Sequence, residues 1–126
     1  MMLICYNYKA PEAIRNRKYG TKSDVWSFGV VMTEILNREQ PFNEINDVLE
    51  VALELKNNKT PKIPANCAPV YKNIIDMCFR QDPNERPVSL LNVVVRAKRK
   101  IFNNSIAGNG TNLYYAGETQ TLILIR

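Results

Sequence analysis

The sequence predicts a mainly α-helical chain of about four to five helices, with a β-hairpin as its C-terminal tail. Val25 to Leu36 is apolar on nearly every face, the mark of a helix enclosed by others. Shorter stretches on its C-terminal side repeat apolar residues at helical spacing. After Phe102 the composition turns to Asn, Gly and Ser, and then to two β-prone runs.

The central helix opens at Thr21-Lys22-Ser23-Asp24, which has the form of a capping box, with Ser23 as a rival N-cap. Gly29 lies inside it at a cost of about 1 kcal/mol in helix propensity, and a close helix–backbone contact would explain that cost. Pro41 stops the helix. A second helix runs from Asp47 to Lys56, capped by Asn46, with Val48, Val51, Ala52 and Leu55 on one face. Asn57, Asn58, Pro61 and Pro64 break it. A third helix fits Val70 to Phe79, with Val70, Ile74, Met77 and Cys78 as its stripe. Asp82-Pro83-Asn84-Glu85 forms a turn. A fourth helix follows from Pro87 or Ser89 to about Ile101, with Leu90, Leu91, Val93, Val94 and Ala97 apolar. Asn103 to Asn112 reads as a linker. Leu113–Ala116 and Thr119–Ile125 are the β-prone runs, joined at Gly117-Glu118; left unpaired, Leu122–Ile125 is an aggregation hazard. Residues 1–101 and 102–126 are thus the two expected units.

Counts exclude several kinds of chemistry. The 126 residues hold 17 Lys+Arg and 12 Asp+Glu, so the net charge is 17 − 12 = +5, and 45% are hydrophobic. This is the composition of a single globular domain. A complete two-lobed enzyme needing about twice this length is not expected here. No histidine is present, which removes Ser-His-Asp triads, histidine bases and histidine metal sites. Cys5, Cys67 and Cys78 suggest neither a disulfide framework nor a zinc pair. With no signal peptide and no apolar run near the roughly 18 residues of a membrane span, a cytoplasmic chain without a membrane segment is expected. Arg96, Lys98, Arg99 and Lys100 lack interleaved aromatics and read as last-turn cations favoured by a helix dipole, not as a nucleic-acid site.

Four stretches together resemble the C-terminal lobe of a eukaryotic protein kinase, closest to the tyrosine kinase and tyrosine-kinase-like branch. Tyr8-Lys9-Ala10-Pro11-Glu12 is similar to the A-P-E end of the activation segment. Lys22 to Val30 resembles the start of the central hydrophobic helix. Glu34-Ile35-Leu36 and Gln40-Pro41-Phe42 resemble its exit. Cys78 to Pro87 resembles the C-x-x-x-D-P-x-x-R-P signature. The resemblance covers roughly Cys5 to Ile101 and leaves the tail unexplained.

The resemblance implies that Glu12 and Arg86, 86 − 12 = 74 residues apart, form a structural ion pair tying the activation segment to the lobe. A carboxylate–guanidinium fork suits that task. It also implies that Asp24 anchors the central helix to a catalytic loop, and that Cys5, Tyr6, Asn7, Tyr8 and Lys9 shape the pocket beside the phosphoacceptor. Cys5 stands where serine/threonine-type members usually carry threonine. Trp26 and Phe28 read as core.

Family members transfer phosphate from ATP with Mg, using a glycine-rich loop, a lysine–glutamate pair, a catalytic aspartate and a metal-binding D-F-G aspartate. All precede A-P-E, and only nine residues precede Ala10 here. No catalytic residue and no cofactor or metal site is therefore expected within these residues, and the chain alone is expected to be inactive. Its expected partner is the missing N-terminal kinase half or another protein. The alternative is a non-catalytic, kinase-derived interaction module docking through the Asp47–Lys56 helix. If family packing is kept without the preceding helices, an exposed apolar patch above roughly 400 Å² is expected.

Overall fold

The computed structural model describes residues 4–107, 113–116 and 121–124, with side chains described over 6–103. A 3-10 helix at Ile4–Tyr8 leads into α1, Pro11–Asn16. Pro11 at its first position sets the helical φ without losing a needed N–H, and Arg17 ends it in the left-handed region at φ 53°. Helix α1 was not among the helices expected from periodicity. Six residues are too few to display one.

Helix α2, Thr21–Asn37, is the hub. The expected capping box does not form: Gly20 occupies the N-cap position with no side-chain cap bond. Ser23 Oγ instead donates to Glu12 Oε1 at 3.2 Å. The helix ends ahead of Pro41, where Arg38 turns left-handed at φ 56°. Helix α3, Val48–Lys56, is capped by Asp47 and not by the expected Asn46: the Asp47 carboxylate accepts from the Leu49 N–H at 3.0 Å. Val51, Ala52 and Leu55 are buried, with Val48 half-buried beside them.

Helix α4, Pro69–Cys78, starts and ends one residue before expectation, because proline again takes the first position. Its fully buried residues are Ile75 and Cys78; Val70, Ile74 and Met77 are half-buried, so the core-facing stripe lies slightly round the helix from the expected one. The Asp82–Glu85 turn is a 3-10 turn at Pro83–Glu85, closed by Asp82 accepting from the Asn84 N–H at 2.9 Å.

Helix α5, Leu90–Ala107, runs past Ile101 into the stretch expected as a linker. Two corrections follow. Arg96, Lys98, Arg99 and Lys100 sit in mid-helix, so the C-terminal dipole does not account for them. Only Val93 and Ala97 of the expected apolar face are buried, while Leu90, Leu91 and Val94 are exposed. Two strands, β1 (Leu113–Ala116) and β2 (Thr121–Leu124), pair antiparallel with Leu113 opposite Leu124. The expected turn at Gly117-Glu118 and the residues at 108–112 lie outside the described residues.

The core forms where α2 crosses α4 and α5, with α3 and α1 packed together against the 3-10 segment. Trp26, Val25 and Val30 of α2 meet Ile75 and Cys78 of α4, Phe79, Val93 of α5 and Leu55 of α3. The Trp26 and Phe79 rings are 4.9 Å apart between centroids. Helix α2 is nonetheless one-sided among the described residues. Asp24, Val31 and Ile35 share the face opposite the core, and Val31 is 41% and Ile35 68% exposed. Its all-round apolar character thus exceeds what these helices cover.

Gly29 marks the crossing with the end of α4. A Cβ there would stand 2.6 Å from Cys78 Cβ and 2.9 Å from Phe79 Cε1, so the close approach is to side chains and not, as expected, to backbone. We predict that Gly29→Ala destabilises the chain by about 1–3 kcal/mol through overpacking, despite the gain of about 1 kcal/mol in helix propensity. Urea unfolding measures it; an unchanged or raised midpoint would refute the contact.

Candidate functional site

Two short segments distant in sequence converge on one buried guanidinium. Glu12 lies in the first turn of α1, and Arg86 follows the Pro83–Glu85 turn in extended backbone. Arg86 Nη1 donates to Glu12 Oε1 at 2.6 Å and Nη2 to Oε2 at 2.9 Å, a bidentate pair. The remaining donors are also engaged. Nε donates to the Arg80 carbonyl at 2.8 Å, Nη1 to the Lys22 carbonyl at 3.1 Å and Nη2 to the Gln81 carbonyl at 3.5 Å. The guanidinium carbon stands 5.0 Å from the centre of the Trp26 ring. Arg86 is only 1% exposed, yet all five of its N–H groups are directed at acceptors. Lys22 Nζ returns a bond to the Arg86 carbonyl at 2.7 Å.

Burial pushes the Glu12 carboxyl upward, but the Arg86 hydrogen bonds and charge, its own backbone N–H and Ser23 together hold it below the ordinary value of 4.5. Cys78, beneath the same cluster, has its thiol pushed up to about 12 by burial, against the opposing charge of Arg86. It is a packing group and not a nucleophile.

The clamp holds the start of α1 and thereby the segment before it. Asn7 Nδ2 donates to the Pro41 carbonyl at 3.0 Å. Tyr8 Oη donates to Glu34 Oε2 at 2.8 Å, and Ser27 Oγ donates to the Tyr8 carbonyl at 2.8 Å. Ser27 and Glu34 are seven residues apart on α2 and so share a face, a spacing visible in the sequence whose target was not. Burial, then the Glu34 hydrogen bond and charge, push the Tyr8 phenol up to about 12, leaving it a neutral donor. The Lys9 ammonium lies 4.6 Å from the Tyr6 ring centre and 5.8 Å from that of Tyr19.

The structure therefore brings Glu12, Arg86, Tyr8 and Lys9 into one neighbourhood around the start of α1. For Cys5 only the backbone, within the 3-10 helix, is described. Asp24 lies in the first turn of α2, exposed, and its carboxylate has no hydrogen bond among the described residues. Among those residues no three His, Cys, Asp or Glu side chains are grouped to hold a metal, and no helix is long and apolar enough to cross a membrane.

The lowered Glu12 carboxyl has a signed consequence. Its stabilisation is complete above its unfolded value near 4.5 and is lost as pH falls through the lower folded value. We predict that Glu12→Gln costs about 3 kcal/mol at pH 7 and flattens the acid limb of stability below pH 5. Urea unfolding across pH tests this, and an acid limb as steep as the parent's would refute it.

Residues 2–94 match the family model described as protein tyrosine and serine/threonine kinase. Mitogen-activated protein kinase kinase kinase 10 of Xenopus laevis is 43% identical over 83 residues, covering 65% of this chain and 8% of that protein. A probable serine/threonine-protein kinase of Dictyostelium discoideum is 41% identical over 83 residues, 66% of this chain and 7% of its own length. The serine/threonine/tyrosine-protein kinase HT1 of Arabidopsis thaliana is 34% identical over 82 residues, 65% and 21% respectively. In these three the matched part spans about a fifth or less of the curated relative. The chain belongs to the protein tyrosine and serine/threonine kinase family.

Proposed function

We propose that residues 1–101 are the substrate-side part of a protein-kinase C-terminal lobe, of the tyrosine-kinase-like branch and working in the cytoplasm. In this reading, residues 5–9 form the wall beside the phosphoacceptor. The Glu12–Arg86 clamp carries the proposal: a fully satisfied buried arginine fixes the Tyr6–Lys9 segment to the helical scaffold across 74 residues of sequence, and a wall of fixed shape is what positioning an acceptor requires.

Phosphoryl transfer needs phosphate cradles and metal-binding carboxylates. In the family the glycine-rich loop, the lysine–glutamate pair and the metal-binding aspartate all lie before A-P-E, outside the stretch that these residues resemble, so ATP and Mg are assigned to other residues of a fuller kinase. These residues alone are therefore read as inactive. The catalytic machinery would belong to a polypeptide half that covers the open face of α2, with Asp24, Val31 and Ile35 as its contacts. A second reading, a non-catalytic interaction module, draws support from Leu49 and Leu53, one helical turn apart on α3 and 77% and 57% exposed.

The purified 126-residue chain, given labelled ATP, Mg and a generic protein substrate, should transfer no phosphate above a protein-free blank. Turnover in the range of about 1–100 s⁻¹ usual for kinases would overturn the proposal. The intact mass of the protein in cells, traced through residues 43–56, separates the readings: a species well above 14.5 kDa favours the lobe of a larger kinase, and one at 14.5 kDa the module.

A further inference from the structure

A groove of about 230 Å³ opens between the Tyr6–Lys9 segment, α1 and α3. Its charge is one-sided. Lys9, Arg17 and Lys56 line it, while no Asp or Glu does. Among the described residues, none of these three cations is in an ion pair. The floor is apolar, formed in part by Ala13, Ile14 and Ala52.

The walls are held in register. Arg15 Nη2 donates both to the Lys56 carbonyl and to Asn58 Oδ1, the latter at 2.7 Å, joining the end of α1 to the end of α3. Lys9 is steadied by the Tyr6 and Tyr19 rings, which fix its ammonium at the rim. The volume falls below the roughly 300–1,000 Å³ of pockets for drug-sized ligands, so the groove suits a side chain. An apolar floor under cationic walls fits a side chain with a methylene stem and an anionic head.

We propose that this groove binds an anionic side chain, carboxylate or phosphate, of a peptide substrate, next to the residue that receives phosphate. This rests on the reading above of residues 5–9 as the substrate-side wall. Arg17 offers a forked guanidinium for bidentate contact, and Lys9 and Lys56 add point charges on either side. The same charges repel a basic peptide, so the groove selects by sign.

The test is fluorescence anisotropy of the 126-residue chain without nucleotide. A labelled tyrosine peptide flanked by glutamates is compared with its glutamine counterpart and with a phosphoserine version. The glutamate or the phosphoserine peptide should bind at least about tenfold more tightly than the glutamine one, and whichever binds better identifies the head group. Arg17→Gln and Lys56→Gln, both at exposed positions, should each weaken that binding about two- to fivefold. Lys98→Gln with Arg99→Gln on α5, a larger change in net charge away from the groove, should leave it unaltered.

Equal binding of all three peptides, no binding, or an equal loss in the α5 variant would overturn the proposal. So would a short single-stranded DNA of matched charge that binds as tightly as the anionic peptide and weakens in the same groove variants. Because no phosphate is transferred here, the kinase reading stands or falls separately. Sign-selective peptide binding by a protein traced in cells at 14.5 kDa would keep the groove and sink the lobe reading. Loss of selectivity would remove the groove and leave that reading to the mass measurement.

Discussion

A charge that water cannot reach must be answered by the protein, and Arg86 is that charge. Its guanidinium is enclosed, so every element around it is constrained to present an oxygen: α1 through Glu12, the start of α2 through the Lys22 carbonyl, and the segment after α4 through Arg80 and Gln81. Removing one partner of such a pair leaves the other buried and unanswered, at about 3–5 kcal/mol. The N-cap of α2 is Gly20, which has no side chain to cap with, and the first turn of the helix serves the clamp instead. Ser23 and Lys22, at positions where a helix start is usually satisfied locally, are directed at Glu12 and at the Arg86 carbonyl.

Around that point the apolar packing is asymmetric. The Trp26 ring neighbours both the Arg86 guanidinium and the Phe79 ring, so the clamp and the core share one residue. Gly29 lets α4 approach α2 more closely than any side chain would permit. The far side of α2, with Val31 and Ile35 open, carries more apolar surface than the described helices cover. A helix that is apolar all round but packed on one side among the described residues fits the lobe of a larger assembly, in which other helices would cover Val31 and Ile35.

Periodicity reveals α3, α4 and α5, because each is long enough to repeat its apolar spacing, and α2 shows as a long run that is apolar on nearly every face. Periodicity fails where length or chemistry gives no contrast. Helix α1 is six residues long, and its start is fixed by Pro11 and the clamp. Asn46 and Asp47 are adjacent and equally able to cap, so only the backbone geometry chooses Asp47. Asn103, Asn104 and Ser105 have weak helix propensity, yet α5 continues through them. The buried face of α5 is narrower than its apolar residues suggest, since Leu90, Leu91 and Val94 are apolar without being covered. Glu12 and Arg86 were legible only through the order of the surrounding motifs, never through spacing. The Tyr8–Glu34 bond and the convergence of Lys9, Arg17 and Lys56 come from separate elements, and no local pattern announces them.

The most direct test of the clamp's central place is a double-mutant cycle in urea unfolding, combining Glu12→Gln with Arg86→Met. A buried bidentate pair requires strong non-additivity: the double variant should be more stable than the sum of the single losses predicts, by at least about 1.5 kcal/mol. Additive losses would mean that the two residues act independently, and the account of how residues 6–9 are held in place would fail.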